Sequence, residues 1–314
     1  MDNKPLVILT GPTAVGKTEL SIALAKKIDG EIISADSMQV YKYMDIGTAK
    51  IKQEEMHGIP HYLIDEYFPD DSFNVVEFKD KARHYAEQIY SRGKIPIIVG
   101  GTGFYIQALL YDIDFAKNHH DNSYRENLQR LAVEKGNEYL HQKLKEVDSV
   151  SAFRIHSNNV KRVIRAMEYY HQTGQPISKH NDEQRQRTSP YHYQYFVLND
   201  YRELLYEKIN KRIDIMIEQG LIDEVRWLLS QGYSRNLVSM QGLGYKEIAA
   251  YLEDEYSLDE AVDILKRDTR HFAKRQMTWF KREKDVTWIH KYEYDSKDSI
   301  LKALFECLSR KGIV

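Results

Sequence analysis

A single cysteine, Cys307, among 314 residues leaves this chain without an internal disulfide or a paired-cysteine zinc site. That excludes a disulfide-stapled scaffold and a zinc ribbon, and it fits a reducing, cytoplasmic setting. Long apolar runs are also missing: nothing approaches the roughly 18 apolar residues of a membrane-spanning helix. The opening MDNKPLVILTGPTAVGKTEL has a short apolar run without the basic region and cleavage site of a secretory leader, so no membrane partner is expected. Neither sign of charge dominates, with 45 Lys and Arg against 47 Asp and Glu and a net charge of -2. A polyanionic partner would therefore have to be met by local patches. The histidines, among them His57, His61, His119, His120 and His156, show no HExxH or comparable spacing, and no metal role is expected of them. Internal repeats and low-complexity tracts are absent as well.

What is present is an ordinary globular composition, 42% hydrophobic and 29% charged, in a chain long enough for about two domains at roughly 150 residues each. Leu6 to Leu9, Glu31 to Ser34 and Ile95 to Val99 are short apolar runs of strand character, with helical spacing over Glu19 to Ile28 and near Val75 to Arg92. Strands alternating with helices predict an α/β fold, a parallel sheet flanked by helices. Between residues 117 and 190 the texture changes to polar helical segments such as NSYRENLQRLAVEK and NNVKRVIRAMEYYHQ, read as a helical insertion. Tyr193 to Leu198 then resumes the sheet, a largely helical stretch follows, and VTWI near the end is a candidate last strand. The catalytic core is thus expected over 1–116 plus 191–314, with the insertion at 117–190.

The sharpest motif is Gly11-Pro12-Thr13-Ala14-Val15-Gly16-Lys17-Thr18, which fits the phosphate-loop pattern GxxxxGK[ST] between a strand and a helix. Its glycines let backbone N–H groups converge on an anion, Lys17 adds a full charge, and the Thr18 hydroxyl can ligate magnesium. A di- or triphosphate ligand follows, but the loop does not say whether the phosphates are transferred, hydrolysed or simply leave. The second strand runs into Ser34-Ala35-Asp36-Ser37-Met38-Gln39, placing a carboxylate at the sheet edge where ligands bind. Asp36 is a candidate base, although Asp before Ser is also common turn chemistry. After the third run comes Gly100-Gly101-Thr102-Gly103, where many nucleotidases carry a metal-supporting aspartate; Asp65 is a weak substitute, and the glycines suit close backbone approach to a ligand.

From Lys266 to Lys284, eight Lys or Arg face only Asp268 and Glu283, a local charge of +6. Arg267, Arg270, Lys274 and Lys281 share one helical face, and Leu265, Phe272 and Trp279, seven apart, are expected to point inward. Trp279, Phe280 and Trp288 are read as core more than as a base-stacking platform. With a second basic segment at Lys161, Arg162 and Arg165, the pattern favours an extended polyanion such as nucleic acid.

These residues together resemble the bacterial tRNA dimethylallyltransferases, nearly end to end. The carriers are GPTAVGKT at Gly11, ISADSMQVYKYMDIGTAK from Ile33, VGGTGFYIQALL from Val99, NNVKRVIRAMEYY from Asn158, RIDIMIEQGLIDEV from Arg212 and TRHFAKRQMTWFKR from Thr269. The resemblance implies transfer of a dimethylallyl group from dimethylallyl diphosphate to the exocyclic amine of the adenosine 3′ of the anticodon, in tRNAs reading codons that begin with U. A phosphate loop that holds a leaving diphosphate would explain the missing hydrolytic machinery. The family has ancestry in nucleotide kinases, so that the same loop carries an older ATP-binding label, and a P-loop nucleotide kinase is the alternative.

The resemblance also implies roles. Asp36, Thr13 and Arg212 would form the catalytic set, with Asp36 as general base and Arg212 neutralising the leaving oxygen. Gly11 to Thr18 would bind the diphosphate, and Thr18 would hold Mg2+. Contacts to the tRNA anticodon stem-loop are implied for Asp36, Ser37, Met38, Gln39 and Thr102, for Lys161, Arg162, Val163, Ile164 and Arg165, and for Arg270, Gln276 and Arg282, in a monomeric enzyme. The segment KRVIR departs from the QRLSR common in the family, which affects the detail of those contacts.

Overall fold

The apolar runs pair into one parallel sheet. In the computed structural model, which describes residues 4–115, 123–184 and 186–314, the strands are β1 (Pro5–Thr10), β2 (Gly30–Ser34), β3 (His61–Tyr62), β4 (Ile95–Gly100), β5 (His192–Asn199) and β6 (Val286–His290). Their order across the sheet is β3-β2-β4-β1-β5-β6, and every neighbouring pair is parallel. His119 and His120 lie outside the described residues. The two-residue β3 is too short to leave an apolar signature, whereas β1 is legible because both its faces are covered: Leu6 to Leu9 have no exposed surface.

Two compact units divide the chain, Met1–Leu110 with Pro190–Val314, and Tyr111–Ser189. The first carries the sheet together with α1 (Lys17–Ile28), α2 (Val75–Ser91) and α3 (Gly103–Leu110). The second holds α4 (Ser123–Lys135), α5 (Asn137–Val147), α6 (Ser149–Arg154), α7 (Val160–Thr173) and α8 (Ile177–Gln184). The first unit then continues with α9 (Arg202–Glu218), α10 (Leu221–Ser230), α11 (Tyr245–Leu252), α12 (Leu258–Phe280) and α13 (Lys297–Arg310).

The second unit has a core of its own, in which Leu128, Leu140, Leu144, Val163, Ile164 and Met167 pack together, each such side chain contributing about 1.5–3 kcal/mol on burial. The buried Asp148 pins α8 to the start of α6: its carboxylate accepts the N–H and hydroxyl of Ser151 at 2.8 and 2.7 Å and those of Ser178 at 3.0 and 2.7 Å. Burial alone would raise its pKa, but these four donors hold it below the ordinary aspartate value.

Because the strands are parallel, all their C-terminal ends lie on one edge. The loop after β1, Asp36 after β2, the glycine-rich turn after β4, Asn199 ending β5 and His290 ending β6 therefore share the edge where ligands bind in open α/β sheets.

Candidate active site

The phosphate loop is built on backbone that few residues tolerate. Gly11 has φ +150 and Gly16 φ +93, while Ala14 adopts the left-handed region at φ 63, a strain of order 1–3 kcal/mol that the surrounding structure must hold. Gly16 caps α1 with no side chain satisfying the first-turn N–H groups, so those donors and the positive helix end are directed at whatever occupies the loop. The Lys17 ammonium lies back along the loop, donating to the carbonyls of Pro12 at 2.8 Å and Gly11 at 3.0 Å.

Three candidate residues feel one another's charge here. Burial first and repulsion from Arg212 second pull the Lys17 pKa down to about 8, against an opposing attraction to Asp36. Arg212, on α9, is reached by solvent, yet the crowding of its surroundings lowers its pKa as well. Two cations and one carboxylate thus gather beside an anion cradle.

Asp36 does perform turn chemistry: its Oδ1 accepts the N–H of Met38 at 2.9 Å and of Gln39 at 3.4 Å. Oδ2 has no hydrogen-bond partner among the described residues, so one carboxylate holds the loop and still offers a free oxygen. Thr102 joins the same arrangement, accepting the Ser37 N–H at 3.2 Å through its hydroxyl. Thr18 stands exposed in the first turn of α1. Among the described residues no cluster of three His, Cys, Asp or Glu could hold a metal. Asp65, the substitute metal carboxylate, pairs instead with Lys50 at 2.6 Å.

The structure corrects several sequence expectations. Gln276, expected on the RNA-facing helix, is buried: its Oε1 accepts the Thr13 N–H at 2.9 Å and its Nε2 donates to the Gly101 carbonyl at 3.0 Å. It bolts α12 to the phosphate loop. Val163 and Ile164 are buried in the core of their own unit, because α7 turns them inward, whereas Lys161 and Arg162 are exposed and Arg165 is half-buried.

The glycines of this turn are required by packing. A Cβ at Gly100 would sit 2.2 Å from the Ala35 carbonyl oxygen, one at Gly101 2.2 Å from Gln276 Nε2, and one at Gly103 2.2 Å from the Trp279 ring. The inward stripe of α12 is Ala261, Leu265, Ala273, Gln276 and Phe280, with Phe272 and Trp279 half-buried. A seven-residue stride drifts about 20° per heptad on a straight helix, so the stripe follows 3.6 instead. Phe280 is core as expected, but Trp288 is half-exposed and lines a cavity. Of the basic face, Lys266 pairs with Asp214 at 2.5 Å and Arg270 donates to Asn210 at 2.7 Å, both on α9, while Lys274, Lys281 and Arg282 remain exposed.

Sequence reading missed the supports. Glu224 on α10 accepts the consecutive N–H groups of Asp45, Ile46 and Gly47 at 3.0, 2.8 and 3.1 Å and the Tyr245 hydroxyl at 2.6 Å. Gln39 reaches the same stretch through Thr48, so this carboxylate anchors the loop that carries Asp36. Lys291, after β6, donates to the Val15 carbonyl at 3.1 Å. An isolated Glu or Lys carries no signal of such long-range use. Glu224→Ala strands three N–H groups and is expected to lower stability by about 3 kcal/mol. Chemical denaturation checks this; a loss below about 1 kcal/mol would contradict the anchoring role.

Residues 39–283 match the model of the family described as IPP transferase. The chain is 64% identical to the tRNA dimethylallyltransferase of Lachnoclostridium phytofermentans, over 99% of each. Its fold is similar to the crystal structure of the full-length tRNA isopentenylpyrophosphate transferase from Bacillus halodurans, at TM-score 0.75 and 43% identity over 98% of this chain and 97% of that one. It is also similar to a eukaryotic dimethylallyltransferase acting on tRNA, at TM-score 0.79 and 31% identity over 92% of this chain and 74% of that one.

Proposed function

The chain belongs to the IPP transferase family, and from that premise we propose that it is a tRNA dimethylallyltransferase. It moves the dimethylallyl group of dimethylallyl diphosphate onto the exocyclic amine of the adenosine 3′ of the anticodon, in tRNAs reading codons that begin with U. The observation that carries the reading is the electrostatic trio at the phosphate loop: Lys17 and Arg212 as cations beside Asp36, whose second oxygen has no partner.

In the reaction the adenine amine bonds to the allylic carbon as the carbon–oxygen bond to the diphosphate breaks, and that electron pair leaves with the diphosphate. The proton lost by the amine passes to the Asp36 carboxylate, held in place through Oδ1. Charge growing on the leaving oxygen meets the uncapped first turn of α1, Lys17 and Arg212, with Thr13 alongside in the loop. Lys17 would exchange its loop carbonyls for phosphate oxygens. An exposed Thr18 hydroxyl in the first turn of α1, beside the diphosphate cradle, suits Mg2+, an ion that prefers to keep waters and take phosphate oxygens as ligands. Bound there, Mg2+ would supply further neutralisation of the diphosphate.

On the RNA side we assign Ser37, Met38, Gln39 and Thr102 near the base, and the exposed Lys161, Arg162, Lys274 and Arg282 to phosphates. An adenine stacked in the anticodon loop must be flipped out to reach Asp36, which costs a few kcal/mol. A monomeric, cytoplasmic enzyme belongs to the same reading; among the described residues no helix is long and apolar enough to cross a membrane. The test is incubation of the protein with magnesium, labelled dimethylallyl diphosphate and an unmodified tRNA with that adenosine, followed by nucleoside analysis. Label on the adenosine is expected; ATP consumption with a nucleoside monophosphate and no label would establish the kinase instead.

A further inference from the structure

At the open edge of the sheet, away from Asp36, four aromatic rings form a continuous stack. Strand alternation puts Trp288 and His290 on one face of β6, with Ile289 buried between them on the other. Their centroids are 6.1 Å apart at 10°. His290 continues to Tyr292 at 5.3 Å and 29°, and Tyr292 to Tyr201 at 4.2 Å and 18°. Because β6 ends the sheet, no further strand pairs along its outer edge. Tyr201 is 53% exposed and Tyr292 42%, large values for rings that are otherwise well stacked.

Beside the stack lies a cavity of about 390 Å³ lined in part by Asn199, Lys281, Trp288 and His290. Asn199 Nδ2 and His290 Nδ1 are 3.3 Å apart, and the Asn199 amide oxygen has no partner among the described residues. Lys281, the exposed cap of α12, brings the basic helix to the rim. Flat π-faces, an amide and an imidazole edge and a cation at the mouth are the complement of one object, a planar heterocycle attached to a phosphate. A prenyl chain would leave the amide unused.

We propose that this stack and its cavity hold an unpaired nucleobase of the substrate RNA, at a subsite separate from the one that takes the reacting adenosine. The inference rests on the tRNA reading above. β2, which leads to Asp36, and β6 are four strand spacings apart, about 19 Å at roughly 4.8 Å each, so one nucleotide cannot serve both places. The subsite would hold the strand while the adenosine is flipped, adding base contact where the basic helix supplies only charge.

The experiment measures affinity for an unmodified anticodon stem-loop RNA, with the donor KM as control, for the parent, for the double variant Tyr201→Ala with Tyr292→Ala, and for Trp288→Leu. Both tyrosines are half-exposed, so the double variant leaves the buried core untouched, and its circular dichroism and melting curve are compared with those of the parent. Loss of stacking is expected to weaken RNA binding about tenfold or more with the donor KM unchanged. An abasic residue at one loop position in the RNA should reproduce that loss without adding to it in the variant. Unchanged RNA affinity in both variants, an equal loss of donor binding, or loss of affinity for a free mononucleotide alone would each overturn the proposal. Failure of the parent to bind RNA at all would instead sink the transferase reading.

Discussion

Replacing Asp36 with asparagine is expected to lower the single-turnover rate of prenyl transfer by about 10²–10⁴-fold, the range that a positioned general base contributes, while RNA affinity stays near that of the parent. Asparagine is the informative substitution because its side-chain oxygen can still accept the Met38 and Gln39 N–H groups that Oδ1 accepts now. The turn survives and only the proton acceptor is removed. Alanine would release the turn as well and confuse the two roles. A variant that turns over at a substantial fraction of the parental rate would remove Asp36 as the base, and a variant that lost RNA affinity in step with rate would assign it to binding.

The second large effect concerns Lys17. Lys17→Met is expected to lower kcat/KM for the donor by about 10²–10³-fold, the cost of losing one charged donor to a developing anion. A pH profile separates charge from shape. With its pKa near 8, Lys17 loses its charge as pH rises through that value, so donor binding to the free enzyme should weaken above about 8. Lys17→Arg, charged throughout, should flatten that limb. Stability runs the other way: between about 8 and the ordinary lysine value of 10.5 the unfolded chain holds the proton more firmly than the folded one. Lys17 therefore favours folding more as pH rises in that window. A donor KM independent of pH well above 8 in the parent would contradict the shifted lysine.

Gln276 and Glu224 mark the boundary of what the sequence shows. Gln276 falls in a run of basic residues, and charge alone reads that run as an RNA surface. Whether one member of it points outward depends on helical phase, and the close approach allowed by Gly101 turns this one into the phosphate loop. Glu224 sits in an unremarkable acidic helix start, yet folding places it under three consecutive N–H groups of a loop some 180 residues away in sequence. Val163 and Ile164 show the reverse: a motif transferred as a block takes no account of helical phase, and α7 turns these two of its members into the core.

By itself the sequence determined the strands of the sheet other than β3, the phosphate loop and the identity of its cation, and the candidate base. Each of these is local: burial on both faces writes continuous apolar runs, and an anion cradle needs its glycines at set spacing. Tertiary structure decided which polar residues support the site, which half of the basic helix remains open, and that Trp288 lines a cavity instead of the core. Those outcomes depend on contacts between segments far apart in the chain, where orientation and packing, not composition, select the partner.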